Sequence, residues 1–216
     1  MRIALVMVLV LAALAAIVSP RGGAATSVRT PLDDVGFPFW CNWSYDWDER
    51  CYRDSERPVG GVDDKVWRSG VRVSLTGIPS GSIVASARLE LTFEGGCIAP
   101  ALGVVGCPGD VFRIAAYPIA NADWYHEREP DYYWTVEDVV ELDTSQGRDV
   151  VAWNLTALAR EWLAGSIANN GVLLKLTDAS EDFDVGGPYF GSMNALEPAV
   201  RPQLVIVYSS PTGTAR

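Results

Sequence analysis

The sequence predicts an all-β protein: an antiparallel β-sandwich of the jelly-roll kind with one short helix. Three observations predict it. Short stretches alternate apolar and polar residues. Turn signals rich in Gly, Pro and Asn separate them. A single stretch carries apolar residues at helical spacing. No internal repeat or low-complexity segment interrupts the pattern.

The start stands apart from this fold. Met1 and Arg2 form a basic head, Ile3 to Val18 is almost wholly apolar, and small residues follow up to Ala25. This reads as a secretory signal peptide over 1–25, shorter than the roughly 20 apolar residues that span a bilayer. One domain is expected over 26–209, with a short tail at 210–216. An exported, extracellular or cell-surface protein follows, with no membrane partner after cleavage. The net charge of −10 falls further once Arg2 and Arg21 leave. A chain this acidic has no means of neutralising nucleic-acid phosphates, so nucleic acid is excluded as a partner.

The first mature stretch of note is FPFWCNWSYDWDERCY, Phe37 to Tyr52. Its two cysteines enclose Trp43, Tyr45 and Trp47, with Trp40 just before. Export makes disulfides the expectation for Cys41, Cys51, Cys97 and Cys107. Three pairings are possible. Equal spacing favours Cys41–Cys51 and Cys97–Cys107, each local loop contributing about 2–3 kcal/mol. Zinc is disfavoured, because it needs paired cysteines at short spacing or histidine partners, and His126 is the only histidine.

ERPVGGVDDKVW is a turn-rich approach. RSGVRVSL then alternates, with Val71, Val73 and Leu75 on one face and Arg72 and Ser74 on the other. TGIPSGS is a turn. IVASARLELTFEG follows with Leu89, Leu91 and Phe93 inward, and Arg88, Glu90 and Thr92 outward. The second cysteine loop, GGCIAPALGVVGCPGD, interrupts this hairpin. VFRIAAYPI resumes as a strand, and ADWYHEREPDYYW is an aromatic, charged loop. VEDVVEL and RDVVAW are strands on either side of the turn DTSQG. Leu155, Leu158, Ala159, Trp162 and Leu163 share one helical face, with Asn154 as N-cap and Gly165 just past the end. ANNG is a turn before the strand VLLKL. TDASEDFDVGGP is an acidic loop, and RPQLVIVY is the closing strand.

Four of these stretches, taken in order, resemble DNRLRE-type domains, relatives of carbohydrate-binding module family 96. They are WRSGVRVSLTGIPSGSIVASARLELTF, VVAWNLTALAREWLAG, NNGVLLKL and RPQLVIVY. The resemblance spans about 66–208, and 95–150 matches poorly. It implies a jelly-roll sandwich in secreted or surface proteins, some of whose members bind acidic polysaccharides. The hexapeptide that names the domain is missing, and the Cys41–Cys51 loop replaces the usual N-terminal strand region. The fold carries over, and no ligand residue does.

Candidate site residues come from the chain itself. Trp40, Trp43, Tyr45, Trp47, Trp124, Tyr125, Tyr132 and Tyr133 lie in loops beside charged residues. Flat rings with a polar edge suit the apolar face of a sugar, while neighbouring Asp, Asn or Arg bind its hydroxyls. Trp40, Trp43, Tyr45, Trp47, Trp124 and Tyr125 are the predicted ligand-binding set. Trp43, Tyr45 and Trp47 share one parity. They form either a platform for a glycan or a plug packed onto the fold. Trp67, Trp153 and Trp162 are expected in the core. Asp178, Asp182 and Asp184, with Glu181 between, are the predicted metal ligands, for a structural calcium ion. Asp46, Asp48, Glu49, Asp63 and Asp64 are further acidic loop residues. Asn42 and Asn154 begin glycosylation patterns, and Asn154 is better explained as a cap.

Catalysis has little support. No G-x-S-x-G occurs, and a triad or a His–Tyr lyase pair would have to rest on His126. The expectation is a non-catalytic secreted module that binds polysaccharide or a cell-surface glycan. A structural or adhesive module with a protein partner is the first alternative. A small polysaccharide lyase or hydrolase is the second.

Overall fold

The sequence alternation over Arg88–Phe93 organises the molecule. Leu89, Leu91 and Phe93 are wholly buried, Arg88 just before them is exposed, Glu90 is half-buried and Thr92 is buried as well. They sit on the longest strand of an all-β, antiparallel sandwich. The computed structural model describes residues 25–31, 39–44, 50–52, 56–62, 65–72, 74–99, 103–106, 109–121, 130–177, 186–191 and 195–211.

In chain order the strands are β1 (Ala25–Pro31), β2 (Phe39–Ser44), β3 (Arg50–Tyr52), β4 (Glu56–Pro58), β5 (Gly60–Val62), β6 (Lys65–Val71) and β7 (Ile83–Ala99). Then come β8 (Gly103–Gly106), β9 (Val111–Pro118), β10 (Asp138–Asp143), β11 (Asp149–Asn154), the helix α1 (Thr156–Ala164), β12 (Val172–Leu176), β13 (Gly187–Gly191) and β14 (Gln203–Ser209). The first sheet runs β1-β14-β7-β13-β4, with β11 and β8 also on β7. The second runs β10-β9-β12-β6-β2-β3, with β5 also on β6. Every pairing is antiparallel.

The core lies between the sheets. Leu89, Leu91, Phe93, Trp153, Phe190 and Leu204 from the first face Val71, Phe112, Ile114, Leu142, Val172, Leu174 and Leu176 from the second. Trp153 is fully buried and Trp162 nearly so, as expected. Trp67 lies within β6 and is half-buried.

The helix forms where the sequence places it. Its Leu158, Ala159 and Trp162 are buried. The cap position falls on Leu155, yet the capping oxygen comes from Asn154, which accepts from the Thr156 N–H at 3.1 Å and the Thr156 hydroxyl at 2.6 Å. Gly165 ends the helix in the left-handed conformation. Its N–H meets the Trp162 carbonyl and the Ser166 N–H meets that of Glu161, which satisfies the last turn.

Two expectations need correction. The strand drawn over RSGVRVSL begins earlier, at Lys65, and stops at Val71. The Ser74 hydroxyl turns the chain there by accepting from the Thr76 N–H at 3.1 Å. The second cysteine loop does not interrupt a hairpin between β7 and β9, which lie in different sheets. β7 runs through Gly95 and Gly96 to Ala99 and pairs with β8, so this loop is itself a hairpin. The DTSQG turn carries the chain from one sheet to the other, because β10 pairs with β9 and β11 with β7. Asp143 shapes it by accepting from the Ser145 N–H at 2.9 Å and the Ser145 hydroxyl at 2.6 Å. Those bonds hold its carboxyl below the usual range.

Candidate functional site

The outer face of the second sheet departs from an ordinary solvated sheet face. β9 sends Ile114 and Ala116 inward and Ala115 and Tyr117 outward, and β12 sends Leu174 inward and Leu173 and Lys175 outward. The outward set is nevertheless buried: Leu173 and Lys175 are each 1% exposed. The chain entering β10 accounts for part of this cover. It follows β9 through three backbone bonds: Ala120 N–H to Asp131 O at 2.7 Å, Tyr133 N–H to Pro118 O at 2.9 Å and Glu137 N–H to Ala116 O at 2.9 Å. Tyr132 bridges to Ile119 and packs onto this outer cluster.

A stack of rings and one cation results. The Tyr132 ring meets that of Tyr117 edge-on, with centroids 5.2 Å apart. The Lys175 ammonium lies 5.6 Å from the Tyr117 centroid and 5.7 Å from that of Tyr132, a spacing at which a cation is attracted to ring faces. Trp134 also meets Tyr132, with centroids 5.1 Å apart and planes tilted by 53°. Trp134 is 77% exposed. Beside it opens a hollow of about 280 Å³ lined by Arg68, Pro130, Asp131, Tyr132 and Trp134. Arg68 reaches it from β6, two positions before Gly70, which pairs with Leu173.

The hollow therefore offers an exposed indole, a phenol ring held by its neighbours, a guanidinium and a carboxylate. This combination suits a ligand with one apolar face and a rim of hydroxyls. Among the described residues its lining includes one carboxylate, Asp131.

The residues predicted from sequence fall differently. Trp40 and Trp43 lie on β2, with Trp40 opposite Ser69 and Trp43 opposite Val66. Register places the Trp43 position on the same face of the sheet as Arg68. Cys41 is opposite Arg68 on one side and Cys51 on the other, so these two cysteines occupy facing positions. Cys97 is buried and disulfide-bonded. Tyr45, Trp47, Cys107, Trp124, Tyr125, His126, Asp178, Glu181, Asp182 and Asp184 lie outside the described residues, as do Asp46, Asp48, Glu49, Asp63 and Asp64. Among the described residues no group of three or more His, Cys, Asp or Glu is placed to hold a metal ion. Tyr132 was legible as a loop aromatic. Trp134, Asp131 and Arg68 were not singled out. The one available signal was that Trp134 ends the aromatic run and shares parity with Tyr132.

No protein-family model matches the chain, and no curated protein matches it.

Proposed function

We propose that this chain is an exported, non-catalytic β-sandwich that binds polysaccharide outside the cell or at its surface, related to the DNRLRE-type domains its sequence resembles. One observation carries the reading: an exposed tryptophan, a braced tyrosine, an arginine and an aspartate converge on one hollow of the second sheet. Contiguous exposed apolar surface rimmed by polar residues marks binding sites. The acidic loop 178–184 is proposed as a calcium site that supports the fold.

Affinity gel electrophoresis against neutral and acidic polysaccharides tests the reading, with calcium or chelator in parallel lanes. Retention of the parent is expected on at least one glycan. Trp134→Ala should weaken it about tenfold or more, equivalent to about 1.4 kcal/mol, with an unchanged unfolding midpoint. Retention on none, with concentration-dependent self-association instead, would favour the adhesive alternative. Release of reducing ends would favour the enzyme.

A further inference from the structure

We infer that the hollow takes one neutral sugar ring at a time, a chain end or side branch, rather than a run of sugars along a chain. The inference rests on the glycan-binding reading and specifies its ligand.

Size is the first argument. A hollow of about 280 Å³ lies just below the roughly 300–1,000 Å³ range of pockets for drug-sized ligands. It accommodates a monosaccharide. Ring geometry is the second. Stacking stations for consecutive sugars of a flat chain present nearly parallel faces. Trp134 and Tyr132 do not, since their planes meet at 53°. They are two walls of one corner. Tyr132 has little freedom to swing into a flat platform, because Tyr117 and Lys175 also pack against it.

Charge is the third argument. Among the described residues the charged groups of the lining are Arg68 and Asp131. Arg68 is already engaged within the protein, so it is not a free cation waiting for a carboxylate. The Lys175 side chain is buried against the Tyr117 and Tyr132 rings. A uronate would meet Asp131 in a chain of net charge −10. Hydroxyls, which both donate and accept, can use a guanidinium and a carboxylate together.

Isothermal titration calorimetry with cello-, xylo-, manno- and galacto-oligosaccharides of one to six units, and a matching galacturonate series, tests this. The expected result is that at least one neutral series binds with affinity constant within about threefold from the monomer or dimer upward. Trp134→Ala should abolish that binding, and the galacturonates should bind at least tenfold more weakly. Affinity that climbs tenfold or more between dimer and hexamer overturns the inference and leaves glycan binding standing. So does tighter binding of galacturonates, or polysaccharide retention that no monomer or dimer competes away. Absence of binding to every ladder and every polysaccharide overturns both.

Discussion

The indole N–H of Trp153, on β11 in the first sheet, donates to the carbonyl oxygen of Ile114, on β9 in the second, at 3.0 Å. One side chain thus crosses the sandwich and ties the two layers by a polar bond in an apolar core. Its ring also meets Phe190 edge-on at 5.8 Å. Trp153→Phe removes the donor and part of the volume. The expected loss is about 2–4 kcal/mol, combining a partial cavity with a missing buried hydrogen bond. Urea unfolding followed by circular dichroism measures it. A loss below about 1 kcal/mol would mean the bond contributes little to holding the layers together.

Gly60 and Gly187 meet where β5 crosses β13. A Cβ on Gly187 would fall onto the Val59 carbonyl, and one on Gly60 onto the Gly186 carbonyl. Backbone cannot yield as a flexible side chain can. Gly187→Ala should therefore cost about 1–3 kcal/mol through overpacking. Gly77→Ala is the comparison, because Gly77 has a positive φ with nothing within 4 Å of an added Cβ. Thermal unfolding of both variants separates close approach from backbone strain. A larger loss at Gly77 would refute the packing account.

The elements that were legible in the sequence obey a single period. Leu89, Leu91 and Phe93 alternate, and Leu155, Leu158, Ala159 and Trp162 recur at helical spacing, so local pattern and burial agree. β13 was not legible, because GPYFG has the glycine and proline that strands usually avoid. It is a strand because β7 and β4 pair with it from both sides. The hairpin of β7 and β8 was hidden for a similar reason, with two glycines at Gly95 and Gly96. The hollow was the least legible feature. Arg68 and Asp131 are far apart in sequence, and only the register of β6 against β12, and the course of the chain beside β9, brings them together.

Lys175 tests how firmly the aromatic corner is built. Its stem is packed on the outer face of the sheet and its ammonium lies near two tyrosine rings. Lys175→Met keeps the length and removes the charge. The expected loss of stability is about 1–2 kcal/mol, the range for a desolvated cation over aromatic rings. Chemical denaturation gives the value. A variant as stable as the parent would show that packing of the stem, not the charge, holds Tyr132.

Glu137 provides a pH test whose sign can be fixed in advance. Burial, and then the neighbouring Glu161 carboxylate, push its pKa up, while a hydrogen bond from the Leu158 N–H at the start of α1 opposes them. With its folded pKa above the unfolded one, the native state holds more protons between the two values. Stability therefore falls as pH rises through that window, and the penalty is complete above the folded pKa. Glu137→Gln removes the charge and keeps an oxygen to accept from Leu158. The variant should be more stable than the parent at pH 7, by less than about 1 kcal/mol because the group is only partly buried and solvent screens it. The difference should shrink toward zero as pH falls below the ordinary carboxylate range. Parallel unfolding curves from pH 3 to pH 8 measure it, and the comparison cancels Asp143, whose lowered pKa acts in the opposite sense in both proteins. A variant less stable than the parent at pH 7 would show that the charged bond to the helix start outweighs burial and the repulsion from Glu161.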